Sequence, residues 1–146
     1  MDPQIQAIAG SAPWNSSHVA KKSATRVLVV DDERLLRWAV AETLIAHGYQ
    51  VSEAVDAKSA LKAIGARRSS TDVVLLDLFL PDACDLRVLK LIRAVVPAVP
   101  VILMTAFATP EIVEEALAAG ARVIPKPFDM DTLTALIERA VAARSH

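Results

Sequence analysis

Four short polar blocks could carry out chemistry, because each one closes or follows an apolar run. They are Asp31-Asp32-Glu33, Asp77, Thr105 and Lys126-Pro127. Carboxylates bind hard divalent cations, and an ammonium and a hydroxyl can stabilise phosphoryl oxygens. Side chains that end neighbouring parallel strands gather at one edge of a sheet, so we expect one cleft suited to a cation and a phosphoryl group.

The elements that must position these blocks alternate along the chain. Five runs rich in Val, Ile and Leu occupy residues 26–30, 50–55, 72–78, 100–105 and 123–125. Most of them lack polar alternation, which is typical of buried parallel strands. Segments with helical spacing occupy residues 33–47, 57–66, 85–96, 110–119 and 129–143. Five βα units predict an α/β, doubly wound three-layer sandwich with a five-stranded parallel sheet.

Several residues predict where these helices begin and end. Gly48 and Gly120 follow the first and fourth helices as C-terminal caps. Thr109 precedes Pro110 as the N-cap of the fourth helix, and Asp129 has the same role for the last one. The segments are therefore expected to be separate helices joined by short loops.

Length and composition bound the class of protein. The chain has 146 residues, 53% of them hydrophobic, and a net charge of -1. We expect a flexible arm over residues 1–24 and one domain over residues 25–146. The balanced charge gives no basic nucleic-acid footprint, and no apolar run is long enough to span a membrane. The single cysteine, Cys84, fits a reducing compartment such as the cytoplasm.

The predicted cleft favours Mg²⁺ and phosphoryl transfer to an aspartate. Three carboxylates packed together resist joint ionisation, and a divalent cation with oxygen ligands removes that cost. Asp77 is the natural acceptor, with Lys126 and Thr105 facing the transferred group. Each block alone has an ordinary explanation: the acidic pair as a helix N-cap, Lys126-Pro127 as a turn, Thr105 as a strand residue. Only their joint occurrence favours a site.

The motifs resemble those of receiver domains of bacterial two-component response regulators. The resemblance covers about residues 25–144, and the first helix looks most like receivers of nitrogen-regulation-type activators. The motifs are Val29-Val30-Asp31-Asp32-Glu33, Leu75-Leu76-Asp77-Leu78-Phe79-Leu80-Pro81-Asp82, Met104-Thr105-Ala106, Gly120-Ala121 and Lys126-Pro127-Phe128. The resemblance implies a flavodoxin-like fold with strand order 2-1-3-4-5.

The resemblance also implies a role for each site residue. Asp77 would accept a phosphoryl group from a histidine kinase or histidine phosphotransfer protein. Lys126 would pair with that group, and Thr105 would turn inward to hydrogen-bond it. The Mg²⁺ ligands would be Asp32, Asp77 and the backbone carbonyl of Phe79, with Asp31 acting through water.

Four positions depart from the family pattern or invite a further expectation. Val123 stands where the family usually has Tyr or Phe, in a segment one residue short, so we expect a muted or rerouted output face around helix four and strand five. Asp85 replaces a glycine and is expected either to adopt a positive φ or to cap a helix. Phe79 and Phe107 either exclude water, giving slow autodephosphorylation, or simply pack in their loops.

Several functional expectations follow from the resemblance. The leading one is a phosphorylation-controlled switch that is not an enzyme, has no output domain in this chain, and acts through protein contacts. It would be a monomer or a weak homodimer through helix 4, strand 5 and helix 5. Trp38 is expected to be either a partly exposed docking residue or a half-buried core residue. The alternatives are a phosphate-independent pseudo-receiver and a haloacid-dehalogenase-type phosphatase, which would need a second acid where Phe79 stands.

Overall fold

A computed structural model describes residues 25–66 and 70–144 of the chain. The predicted arm over residues 1–24 lies outside the described residues. Strands and helices alternate strictly along the described chain. The elements are β1 (Arg26–Val30), α1 (Arg34–Ala46), β2 (Gln50–Ala54), α2 (Ala57–Gly65), β3 (Val73–Asp77), α3 (Arg87–Val95), β4 (Val101–Thr105), α4 (Pro110–Ala118), β5 (Arg122–Pro125) and α5 (Met130–Arg144). No helix in this part of the chain is both long and apolar enough to span a membrane.

The five strands form one parallel sheet in the order β2-β1-β3-β4-β5. The predicted flavodoxin-like fold and its strand order are confirmed. Chain order reverses direction at β1, since β2 lies on one side of it and β3 on the other. The carboxyl ends of β1 and β3 flank the crevice that this reversal creates, which is where ligands bind in open α/β sheets.

The core has two halves, one on each face of the sheet. On one face, Val27 and Val29 of β1 pack with Leu44 of α1 and with Leu133 and Ile137 of α5. On the other face, alternate residues of the same strands pack against α2, α3 and α4. All five residues of β3 are buried, as are all five of β4. Covered faces on both sides explain why these strands are continuously apolar rather than alternating.

The predicted helix ends are confirmed where a cap was named. Gly48 and Gly120 have φ values of 94° and 86°, the left-handed region that glycine adopts without strain. The Thr109 side chain accepts a hydrogen bond from the Ile112 N–H at 3.3 Å, and Pro110 occupies the first turn of α4. Asp129 accepts one from the Thr132 N–H at 2.7 Å. Element boundaries agree with the predicted ones within two residues.

The start of α3 corrects one expectation about Asp85. No residue other than glycine has a positive φ among those described, so a left-handed Asp85 is wrong. Its carboxylate instead accepts hydrogen bonds from the backbone N–H of Arg87 at 3.0 Å and from the Arg87 Nε at 2.9 Å. The chain turns by this local side-chain contact, which replaces the need for glycine. The helix begins at Arg87, with Leu86 at the N-cap position.

Candidate functional site

Three carboxylates meet where β1 and β3 end. Asp31 directly follows β1, Asp32 comes next, and Asp77 is the last residue of β3. One carboxylate oxygen from each lies within 4.8 Å of the other two. Asp31 and Asp77 are buried, whereas Asp32 is exposed. The strand ends therefore bring together the three acidic residues that the sequence predicts.

Lys126 supplies the positive charge of this cluster. It follows β5, and its Nζ atom lies 2.9 Å from an Asp31 oxygen, 3.0 Å from Glu33 and 3.5 Å from Asp77. Burial alone would lower the pKa of Lys126, but its hydrogen bonds to Asp31 and Glu33, together with the negative charges of Asp31 and Asp77, outweigh burial and raise that pKa. The ammonium is thus firmly charged and lies within reach of a group attached to Asp77.

The surroundings of Asp77 disfavour the charged form of its carboxyl group. Burial, reinforced by the neighbouring Asp31 carboxylate, raises the pKa of Asp77 to about 6. Lys126 and the Phe79 N–H, which donates to an Asp77 oxygen at 3.2 Å, act in the opposite direction. The net result is a carboxylate whose negative charge is incompletely compensated by the protein.

The cluster has the donor set of a hard-cation site. Asp31, Asp32, Glu33 and Asp77 bring four carboxylates to the one ammonium of Lys126, so negative charge is in excess. Both Asp31 oxygens already accept hydrogen bonds, one from Lys126 and one from the Glu33 N–H at 2.9 Å. Oxygen donors with surplus charge fit Mg²⁺, which binds through one or two carboxylates and keeps several waters.

Thr105 lies at the end of β4 with its hydroxyl directed to the following loop. The residue is fully buried, and its Oγ1 accepts a hydrogen bond from the Phe107 N–H at 3.0 Å. β5 begins one residue earlier than predicted, and Leu103 pairs with Val123 while Thr105 pairs with Pro125. Alternation along β5 therefore places Val123 and Thr105 on the same face of the sheet.

Two aromatic side chains, Phe79 and Phe107, lie in the loops beside the site, and a third, Trp38, lies on α1. The Phe79 and Phe107 rings contact each other edge to face, with centroids 5.0 Å apart. They are 41% and 59% exposed, so the pair forms part of the surface next to Asp77. Trp38 is 60% exposed on α1, so it is not a core residue. Its predicted exposure is confirmed, and its docking role stays a prediction.

Two partners of site residues do not follow from the sequence motifs: Glu33 as a partner of Lys126, and Arg37 as a partner of Asp31. Glu33 accepts a hydrogen bond from the Lys126 Nζ atom. Arg37, one helical turn later, donates to the Asp31 carbonyl oxygen at 2.8 Å. The spacing of Glu33 and Arg37 could have indicated the second contact. Side chains four residues apart lie on the same side of a helix, so Arg37 lies on the side of α1 that faces the acidic loop.

The loop after β3 is also fastened to a helix that the sequence did not connect with the site. The Asp82 carboxylate accepts hydrogen bonds from the backbone N–H groups of Ala57 at 2.8 Å and Lys58 at 3.0 Å, at the start of α2. These hydrogen bonds lower the pKa of Asp82. The segment that follows Asp77 is therefore held to α2.

Known proteins are similar to this chain in sequence and in fold. The DNA-binding transcriptional regulator NtrC of Proteus hauseri is 38% identical over 116 residues, which are 79% of this chain and 24% of that protein. The probable transcriptional regulatory protein TcrX of Mycobacterium tuberculosis is 40% identical over 118 residues, 77% of this chain and 50% of that protein. The chain thus spans a quarter to a half of the length of these relatives.

A solved structure matches the whole of a separate domain. The crystal structure of the receiver domain of NtrX from Brucella abortus superposes with a TM-score of 0.72 at 36% identity, covering 80% of this chain and 98% of that one. The response regulator receiver domain family matches residues 27–138, which include all the acidic residues of the cluster, Thr105 and Lys126. The chain belongs to the response regulator receiver domain family.

Proposed function

We propose that this chain is a phosphorylation-controlled signalling switch in which Asp77 accepts a phosphoryl group from a phosphohistidine. The observation that carries the proposal is the convergence of Asp31, Asp32, Asp77 and Lys126 at one edge of the sheet. Membership in the receiver family makes a histidine kinase or a histidine phosphotransfer protein the proposed donor. The protein would be a phosphoacceptor rather than an enzyme.

The transfer can be written from the residues present. An Asp77 carboxylate oxygen forms a bond to phosphorus as the P–N bond of the donor breaks, and the electron pair of that bond returns to the imidazole. Lys126, 3.5 Å from Asp77, would pair with the oxygens of the transferred group. Thr105 would exchange the Phe107 N–H for a phosphoryl oxygen, which requires its hydroxyl to turn and donate.

We propose Mg²⁺ as the cofactor of this reaction. Asp32, Asp77 and the backbone carbonyl of Phe79 would hold it directly. Asp31 would act through water, which agrees with both of its oxygens already accepting hydrogen bonds. When bound, the cation would neutralise excess carboxylate charge and the developing charge on the phosphoryl oxygens.

The proposed setting follows from the family and the surface. The exposed thiol of Cys84 would stay reduced in the cytoplasm, which is the proposed location. Signalling would pass by protein contact, through a monomer or a weak homodimer formed by α4, β5 and α5. The chain itself would not bind nucleic acid.

A beryllofluoride titration of the full chain tests the proposal, because beryllofluoride mimics a phosphoryl group on an aspartate. We expect saturable, Mg²⁺-dependent shifts in the amide NMR spectrum of the wild type and none in Asp77→Asn. Asp131→Asn is the matched control, since it removes the same charge from an exposed position at the start of α5, outside the cluster, and it should respond like the wild type. A wild type that ignores beryllofluoride in Mg²⁺ would favour the pseudo-receiver. Steady turnover of a phosphomonoester would favour the phosphatase.

A further inference from the structure

Arg37 is an enclosed cation next to the acidic loop. Its side chain is only 15% exposed, although it belongs to α1, whose outer side faces solvent. The guanidinium makes two hydrogen bonds in different directions, from Nη1 to the Asp31 carbonyl oxygen and from Nε to a Glu53 oxygen, each at 2.8 Å. A rigid planar fork suits this double contact, which a lysine ammonium on a flexible stem reproduces poorly.

The two contacts join three elements at the edge where the site lies. Glu53 belongs to β2, and the next residue, Ala54, accepts a hydrogen bond from the Asp31 N–H at 3.1 Å. The backbone of Asp31 is thus held on both sides, by β2 through its N–H and by α1 through its carbonyl. Arg37 also binds Glu53 of β2, so it links the Asp31 carbonyl to the same strand that holds the Asp31 N–H.

The position of this contact matters for the carboxylates. The Asp31 carbonyl belongs to the planar peptide unit that joins Asp31 to Asp32. Holding this peptide unit together with the Asp31 N–H sets the direction of the Asp31 side chain, and it limits the Asp32 side chain to rotation about one backbone bond. We infer that Arg37 is a positioning residue, which orients the Asp31–Asp32 peptide so that the two carboxylates face a divalent cation together with Asp77. This inference rests on the proposed function and deepens it.

A simple charge effect predicts the opposite result, so the sign of the change is decisive. Arg37 is a cation close to a proposed cation site, and its field alone weakens Mg²⁺ binding. If the field were its only influence, removing the charge would tighten Mg²⁺ binding. If Arg37 positions the ligands, removing it loosens them and weakens Mg²⁺ binding despite the lost repulsion.

The experiment is a calorimetric titration of the full chain with MgCl₂ alone. We expect Arg37→Gln to weaken Mg²⁺ binding about tenfold, the lower end of the range for residues that orient metal ligands. Arg37→Lys, which keeps the charge but not the fork, should show an intermediate loss. Arg34→Gln is the matched control: it removes the same charge from an exposed position of α1 and should bind Mg²⁺ at least as tightly as the wild type.

Two further measurements keep the test decisive. Urea unfolding in EDTA establishes that each variant is folded. Glu53→Ala, which removes the oxygen that accepts the Arg37 Nε hydrogen bond without altering α1, should also weaken Mg²⁺ binding. Unchanged or tighter Mg²⁺ binding by both Arg37→Gln and Glu53→Ala would overturn the inference and leave the proposed function intact. A wild type without measurable Mg²⁺ binding would overturn the proposed function and this inference with it.

Discussion

Replacing the proposed phosphoacceptor should make the metal-free protein more stable. Asp77→Asn keeps the shape of the side chain and an oxygen that can accept the Phe79 N–H, but it removes one negative charge from the cluster. Burial and the Asp31 carboxylate raise the pKa of Asp77 to about 6, against an ordinary value of 3.8. The folded protein therefore binds this proton more tightly than the unfolded chain does.

The size of the stability gain and its pH dependence follow from the difference between the folded and unfolded pKa values of Asp77. Stability from the proton on Asp77 is fully present below pH 3.8 and is lost as the pH rises through about 6. A pKa difference of this size corresponds to about 3 kcal/mol at pH 7. Water and counter-ions at the open mouth of the site reduce it, so we expect Asp77→Asn to add about 1–2 kcal/mol to the free energy of unfolding at pH 7. At pH 4 the gain should nearly vanish.

Urea unfolding in EDTA, followed by circular dichroism at pH 4 and pH 7, measures both values. Saturating Mg²⁺ should shrink or reverse the gain, because the cation stabilises the wild type by binding its folded state. Asp82→Asn is the control with the opposite sign. The pKa of Asp82 is lowered, so its stability is present above the ordinary carboxyl pKa and is lost as the pH falls, and its removal should destabilise at pH 7. A less stable Asp77→Asn at pH 7 in EDTA would refute the charge argument.

Four other predictions concern the site and its surroundings. Glu33→Gln should tighten beryllofluoride binding roughly threefold, because Lys126 loses a competing carboxylate. Gly120→Ala should cost about 1–2 kcal/mol in the free energy of unfolding, because φ is positive and the added carbon would approach an Arg93 nitrogen. The aspartyl-phosphate should persist for minutes or longer, as followed by loss of radiolabel, and Phe79→Asn should shorten that lifetime by admitting and orienting water. Phosphorylation should change the amide spectrum at the Phe107 loop, where Thr105 gives up its hydrogen bond, but little within α4 and β5.

Each of these has a result that would contradict it. Glu42→Gln removes an exposed charge from the same helix, and it should leave beryllofluoride affinity unchanged; an equal effect would mean that Glu33 has no special role. Gly65→Ala, where no atom lies within 4 Å of the added carbon, should not destabilise the protein, unlike Gly120→Ala. A phosphoryl group lost within seconds would contradict the water-exclusion argument. Large spectral changes across α4 and β5 would contradict a muted output.

The strands and the site residues at their ends were predictable because both depend on local sequence. Buried parallel strands are continuously apolar, so the first charged or hydroxyl residue after each run marks its end, as Asp31, Asp77, Thr105 and Lys126 do. Parallel pairing then brings all these ends to one edge. The strand order was not predictable in this way, and it came from the family resemblance.

The contacts that involve helices were less predictable, because they depend on helix phase and on neighbours distant in sequence. Arg37 reaches Glu53 only because α1 packs beside β2, and Asp82 reaches α2 only because the loop after β3 crosses to it. For Asp85, even a contact with a neighbour close in sequence was not predictable from the sequence alone. Its short side chain could satisfy either a left-handed turn or a hydrogen bond to the next helix, and only the backbone decides between them.

Thr105 and Val123 differ in how each could respond to a change at Asp77, the proposed phosphoacceptor. Thr105 is tied to the loop before α4 through the Phe107 N–H, so a hydroxyl that turns toward Asp77 must release that loop. Val123 shares a face of the sheet with Thr105, but its short aliphatic side chain has no ring that could swing between two positions. A change at Asp77 that turns Thr105 can therefore alter the Phe107 loop directly. β5 has no aromatic side chain at position 123 that could change its rotamer in response. The proposed phosphorylation site is thus coupled more tightly to the loop before α4 than to the last strand.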